Sequence, residues 1–100
     1  MKVTWTNHAL EQLVQVYDYI SKDSKYFAKK TVDDLTQYSK KLNQYPQLGR
    51  IVHEVNNKNI RELLHGHFRI IYKIKKDRID ILALIHTAQQ FPTHYFIENE

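Results

Sequence analysis

Between Ile60 and His86 the chain reads IRELLHGHFRIIYKIKKDRIDILALIH, a pattern that leaves room for little except strand, turn, strand, turn, strand. From Phe68 to Ile85 apolar residues recur at every second position. Lys75-Lys76-Asp77-Arg78 interrupts them as a polar turn between β-branched runs. A loop at Lys76-Asp77 sets Lys75 across from Arg78, and the register follows: Ile74 faces Ile79, Tyr72 faces Ile81, Ile70 faces Ala83 and Phe68 faces Ile85. That face is wholly apolar. The other face sets Lys73 across from Asp80, Ile71 from Leu82, Arg69 from Leu84 and His67 from His86, greasy near the turn and cationic at the far end. A dry face calls for helices and a mixed face for a partner or ligand, so function is expected on the second face.

The rest of the chain supplies those helices. Lys2 to Thr6 alternates weakly and reads as an extra strand of the same sheet. Thr6 or Asn7 can cap a first helix whose apolar side is Leu10, Leu13, Val14, Tyr17 and Ile20. Ser21 to Ser24 breaks it, and Ser24 can cap a second helix running towards Tyr45, with Ala28, Val32, Leu35 and Leu42 inward. Pro46 and Gly49 end that helix, and Ile51 to Val55 has room for a short extended piece. The expected architecture is α+β, an N-terminal helical hairpin packed on one face of an antiparallel sheet of about four strands in the order β-α-α-β-β-β.

Composition narrows the function classes. With 42% hydrophobic content in 100 residues, a single core is expected. No cysteine is present, which removes disulfides and thiolate metal sites. The first residues carry no long apolar segment, and no apolar run approaches the roughly 18 residues of a bilayer span, so a cytoplasmic protein without a membrane role is expected. A net charge of +4 favours acidic partners.

Few residues offer chemistry. Two glycines are too few for a phosphate-cradling loop, and no paired carboxylate or HExxH pattern occurs, so no cofactor is expected. His65, His67 and His86 can converge at the glycine end of the hairpin but lack a further metal ligand, so no metal is assigned. Arg69 with His86 has the character of a phosphate-holding guanidinium beside a group that titrates near neutrality. Against that, a two-residue turn at His65-Gly66 puts Glu62 across from Arg69 as a structural ion pair. A three-residue turn puts Leu63 there instead and sends Glu62 to the opposite face. Arg61, Glu62, His67 and Lys73 are candidate binding residues on the sheet. Lys25, Lys29, Lys30, Lys40 and Lys41 form a basic helical surface. Tyr26, Phe27, Tyr38 and Tyr45 are more aromatics than one helical face can bury.

At this point the order of residues resembles the RelE/ParE superfamily of bacterial type II toxin-antitoxin toxins, over about Val3 to Phe91. The carriers are Trp5, Ala9 and Leu13, then Tyr19-Ile20, Ala28, and Pro46 with Gly49-Arg50. They continue with Val52 and Glu54, Arg61-Glu62-Leu63, Phe68-Arg69-Ile70 with Tyr72, and Ile81-Leu82 followed by His86. Gly49-Arg50 followed by Arg61-Glu62-Leu63 resembles the ParE branch, whose toxins poison DNA gyrase. The RelE branch cuts mRNA on the ribosome with a cationic set of which only Arg69 is present here. The resemblance implies one toxin domain over residues 1–100, with a core of 1–91 and a tail of 92–100. It implies a growth inhibitor of DNA gyrase, neutralised in a hetero-oligomer by a cognate antitoxin whose acidic, disordered segment meets the helical lysines. A ribosome-dependent endoribonuclease using Arg69 and His86 is the alternative, and an inactivated toxin kept for antitoxin binding is a third.

Overall fold

A computed structural model describes residues 1–99. β1 (Lys2–Trp5) is followed by α1 (Asn7–Ser21) and α2 (Lys25–Ser39), which continues as a 3₁₀ turn over Lys40–Asn43. Then come β2 (Arg50–Ile51), β3 (Ile60–His65), β4 (Phe68–Ile74), β5 (Arg78–His86) and the short helix α3 (Thr93–Asn99). The sheet has five strands in the order β1-β5-β4-β3-β2. It is mixed and not purely antiparallel, because β1 lies parallel to β5, with Lys2 beside Arg78 and Trp5 beside Ile81.

Both helices begin where their capping residues put them. The Thr6 hydroxyl accepts from the Ala9 N–H at 3.2 Å, and the Ser24 hydroxyl from that of Phe27 at 3.1 Å. The inward side of α1 is rotated from the expected one. Ala9 and Leu13 are buried and Val16 packs beside them, whereas Leu10 and Val14 are 44% and 57% exposed. Ala9 lets the helix approach the sheet closely, and Gln12 turns inward to accept the Leu84 N–H at 2.7 Å. α2 buries Ala28, Leu35 and Ser39 but tightens to 3₁₀ before Tyr45. The Ser39 hydroxyl donates to the Thr36 carbonyl and accepts from the Trp5 indole N–H at 3.2 Å, tying α2 to β1.

The β4–β5 register holds from the turn as far as Tyr72, then slips. Ile74, Lys73 and Tyr72 face Ile79, Asp80 and Ile81 as expected. A bulge then leaves Leu82 without a partner, so that Ile71 faces Ala83, Ile70 faces Leu84, Arg69 faces Ile85 and Phe68 faces His86. One extra residue reverses every side chain beyond it. Leu84 therefore joins the helix-side core and Ala83 and Ile85 the other side, while His86 leaves the face of Arg69. The β3–β4 turn matches neither expected form. Its two loop residues are Gly66 and His67, with His65 across from Phe68 and with Gly66 at φ +57°, as a hairpin with glycine at the first loop position requires.

The second face is also covered along part of its width. Val52 and Phe96 pack onto Ile60, Ile71, Ala83 and Ile85, with Val55, Phe91 and Tyr95 around them. Tyr95 stacks on His8 at 4.6 Å, which joins α3 to the start of α1.

Candidate functional site: the Arg69 cluster and the helix-side groove

Because Leu64 faces Arg69 and Glu62 faces Ile71, Glu62 and Arg69 share the second face on a diagonal. The contact is direct. Arg69 Nη2 lies 2.8 Å from Glu62 Oε2, and its Nε lies 3.0 Å from Oε1. Glu54, on the loop after β2, takes the guanidinium from the other side at 3.0 and 3.1 Å. The Phe91 ring lies under it with its centroid 4.7 Å away. Four of five guanidinium N–H donors are thereby engaged by two carboxylates. The bond from Arg69 holds the Glu54 carboxyl below its usual range, and Glu54 and then Glu62 raise the guanidinium. Arg50 adds a longer contact to Glu62 at 3.5 Å. Arg50, Glu54, Glu62 and Arg69, with Ile51, His53, Leu64 and Thr87, line a cleft of about 460 Å³.

Beside the cleft, Tyr72 fastens the segment that carries Arg50. Its hydroxyl donates to the Pro46 carbonyl at 2.7 Å and accepts the Gly49 N–H at 2.9 Å. Burial pushes the Tyr72 phenol up, so it stays protonated at neutral pH. Arg61 Nη1 donates to the Gly49 carbonyl at 2.9 Å, while its buried Nε has no partner among the described residues. Arg61 is thus a positioning residue beneath Gly49, on the face opposite Glu62.

The candidates from the sequence scatter. His86 lies on the helix side, edge-on to Phe68 at 5.4 Å and stacked with His67 at 5.8 Å. Its Nδ1 accepts the Ala88 N–H at 3.0 Å. Arg69 and His86 therefore do not share a face, and the acid-base pairing is not assembled. His65 sits against Tyr38 at 4.6 Å, so the three hairpin histidines do not converge. Lys73 shares the second face with Glu62 and lies beside Asp80. Lys29 and Lys30 pair with Asp33 and Asp34 along α2, Lys25 and Lys40 are exposed, and Lys41 lies over the Tyr38 ring at 4.8 Å. Sequence reasoning missed Glu54 and Phe91 as partners of Arg69, and no local signal marks either, since both lie outside the strand pattern.

A groove missed by the strand reading opens between the second half of α1 and the start of β4 with the end of β5, beside the β3–β4 turn. It holds about 640 Å³ and is lined by Val16, Tyr19, Ile20, Phe68 and Leu84, with His67 and His86 at its rim. Tyr19, 74% exposed, is a large aromatic that the fold leaves for something else to cover.

Comparison with known proteins agrees with this architecture. The family described as the ParE toxin of the type II toxin-antitoxin system, parDE, matches residues 3–91. Among solved structures, the chain is similar to the chromosomal ParDE TA system from P. aeruginosa, at 26% identity and a TM-score of 0.71, over 86% of this chain and 95% of that one. The YoeB dimer from Staphylococcus aureus shares the fold at 18% identity and a TM-score of 0.56, over 83% and 92% of the two chains. No curated protein matches in sequence. No described helix is long and apolar enough to cross a membrane. With a family match that takes in α1, α2, all but the first residue of the sheet and the Arg69 cluster, the chain belongs to the ParE toxins of type II toxin-antitoxin systems.

Proposed function

We propose that this ParE-type toxin acts in the cytoplasm by binding DNA gyrase and inhibiting it without chemistry of its own. One observation carries the reading: Arg69 is held on both sides by carboxylates, and His86 lies on the other side of the sheet. A guanidinium with four donors engaged has little left for a scissile phosphate, and extracting it would strand Glu62, which is 2% exposed. Tyr72, the other residue able to assist a nuclease, is fully buried and bonded to backbone. The test is a supercoiling assay on relaxed plasmid with purified chain and gyrase. Inhibition that the cognate antitoxin relieves is expected. Undiminished supercoiling together with cleaved transcripts in a translating extract would move the reading to the ribonuclease. Undiminished supercoiling with intact transcripts would leave only antitoxin binding.

The antitoxin is assigned an acidic, disordered segment that folds on the helical side, steered by Lys25, Lys29 and Lys30 and anchored by apolar side chains in the Tyr19–Phe68 groove. α3 already packs the described tail against the second face, which leaves the helix side as the larger open apolar surface. Hydrogen exchange with and without antitoxin is expected to show new protection in the second half of α1 and in β5 near His86. Unchanged exchange in both would rule the groove out.

A further inference from the structure

Charge is spread unevenly over this fold. Because β1 runs parallel to β5 while β4 and β3 alternate, the starts of β1, β5 and β3 and the end of β4 share one end of the sheet. Lys2 lies beside Arg78 there, and Lys75 and Lys76 occupy the turn closed by the Lys75 N–H on the Arg78 carbonyl at 2.9 Å. Lys73 stands one strand position from Ile74, whose N–H donates to the Asn59 carbonyl at 2.8 Å and so brings the loop of Lys58 alongside. The terminal ammonium donates to the Asn43 carbonyl at 2.8 Å, which brings the 3₁₀ turn to the same end. Lys40 and Lys41 there line a shallow cavity with Lys2 and the 57% exposed Tyr45.

Against these eight lysine and arginine side chains the described acids are Asp77 and Asp80, and Asp80 is already taken by Lys75 at 2.9 Å and Arg78 at 3.0 Å. Eight positive charges less two negative leaves +6 at one end of a chain whose total is +4. Elsewhere several cations are paired: Lys29 with Asp33, Lys30 with Asp34, Arg69 with Glu54 and Glu62. Lys2, Lys40, Lys58 and Lys76 are exposed and form no ion pair among the described residues.

The geometry points to the phosphate backbone of a DNA duplex as the ligand of this end, bound without regard to sequence. Four strand ends about 4.8 Å apart set their lysines across roughly 14 Å of rigid sheet. DNA offers one charge per about 1.7 Å of axis, so a footprint of that width meets several phosphates at once. An acidic peptide that folds on binding would need apolar anchors, and the groove richer in them lies at the opposite end, beside the β3–β4 turn, whereas this end offers the smaller cavity of about 590 Å³ at Met1, Tyr45 and Leu48. This end therefore suits a partner that brings charge. The inference does not depend on the gyrase reading, since it concerns the chain and DNA alone.

Fluorescence anisotropy of a labelled 20-bp duplex with the full chain tests it. With about four phosphates contacted, affinity is expected to fall about a hundredfold between 50 and 200 mM KCl. The variant Lys2→Ala/Lys40→Ala/Lys76→Ala is expected to bind more than tenfold more weakly at 50 mM KCl, with a salt slope smaller by about one per lysine. Lys22→Glu/Gln90→Glu lowers the net charge by the same three units away from this end, both residues being exposed, and is expected to stay within about threefold of wild type. Circular dichroism melts establish that both variants fold. Absence of binding at 50 mM KCl, or equal weakening by the two variants, would overturn the proposal. Tighter binding to poly-glutamate than to the duplex would reassign this end to an acidic protein.

Discussion

Arg69→Ala is expected to lower the stability of the fold by about 3 kcal/mol, the cost of leaving a buried carboxylate without its counter-charge. Glu62 is the group left stranded. It is 2% exposed, and with Arg69 gone only the 3.5 Å contact to the exposed Arg50 remains among the described residues. For a domain of this length that loss corresponds to a melting temperature lower by roughly 15 °C. Arg69→Met/Glu62→Leu is expected to recover most of it, because removing both charges removes the desolvation penalty along with the attraction. Acid behaviour gives a second reading of the same cluster. The folded Glu54 carboxyl titrates below its unfolded value of about 4.3, so its contribution is complete above that pH and is lost as pH falls through the lowered folded value. Lys75 and Arg78 hold Asp80 low in the same sense, although burial opposes them. Wild type is therefore expected to lose stability below about pH 4, and Arg69→Ala to lose less over that window because Glu54 returns towards its unfolded value. Urea melts from pH 7 to pH 3 measure both. A variant as stable as wild type at pH 7 would mean that Arg69 does not hold this cluster together.

What the sequence made legible follows from how many independent signals each element carried. The polar turn at Lys76-Asp77 separates two alternating runs, and it fixed the register of Ile74, Lys73 and Tyr72. The caps at Thr6 and Ser24 placed two helix starts. The bulge at Leu82 left no trace, because Ile81 to Ile85 is apolar at every position and either face accepts a shifted register. With it went the pairing of Arg69 and His86. Leu10 and Val14 fit the helical period as well as Ala9 does, and only the closeness of α1 to the sheet decides which of them turns inward. The Arg69–Glu62 pair was one of two arrangements that the hairpin allowed. Its actual turn, Gly66-His67, was neither, yet the diagonal neighbour across two strands still lies within reach of a long arginine. Glu54 and Phe91 complete the cluster from segments with no periodicity, where a sequence gives no direction to a side chain.

Gly49→Ala is expected to cost about 3 kcal/mol, at the upper end of what overpacking a closed site does. A β-carbon at this position would sit 2.4 Å from the Glu62 carbonyl oxygen and 2.8 Å from the Tyr72 ring and hydroxyl. Neither neighbour can yield. The carbonyl belongs to a strand paired on both sides, and Tyr72 is fully buried and bonded to Pro46. The segment must move instead, which breaks the Gly49 N–H bond to Tyr72 and the Arg61 bond to the Gly49 carbonyl together. Arg61, whose Nε already lacks a partner among the described residues, then loses its backbone anchor as well. Tyr72→Phe separates the two contributions. It removes the hydrogen bonds but adds no atom, so it is expected to cost about 1–2 kcal/mol for the unsatisfied carbonyl and N–H left behind. In the double variant the penalties should add to less than their sum, because the same hydroxyl is both clash and anchor. Thermal and urea melts of the three variants check this. Gly49→Ala melting within 1 kcal/mol of wild type would show that the segment carrying Arg50 rests loosely on β3, and Arg50 would then not be held over the Arg69 cluster.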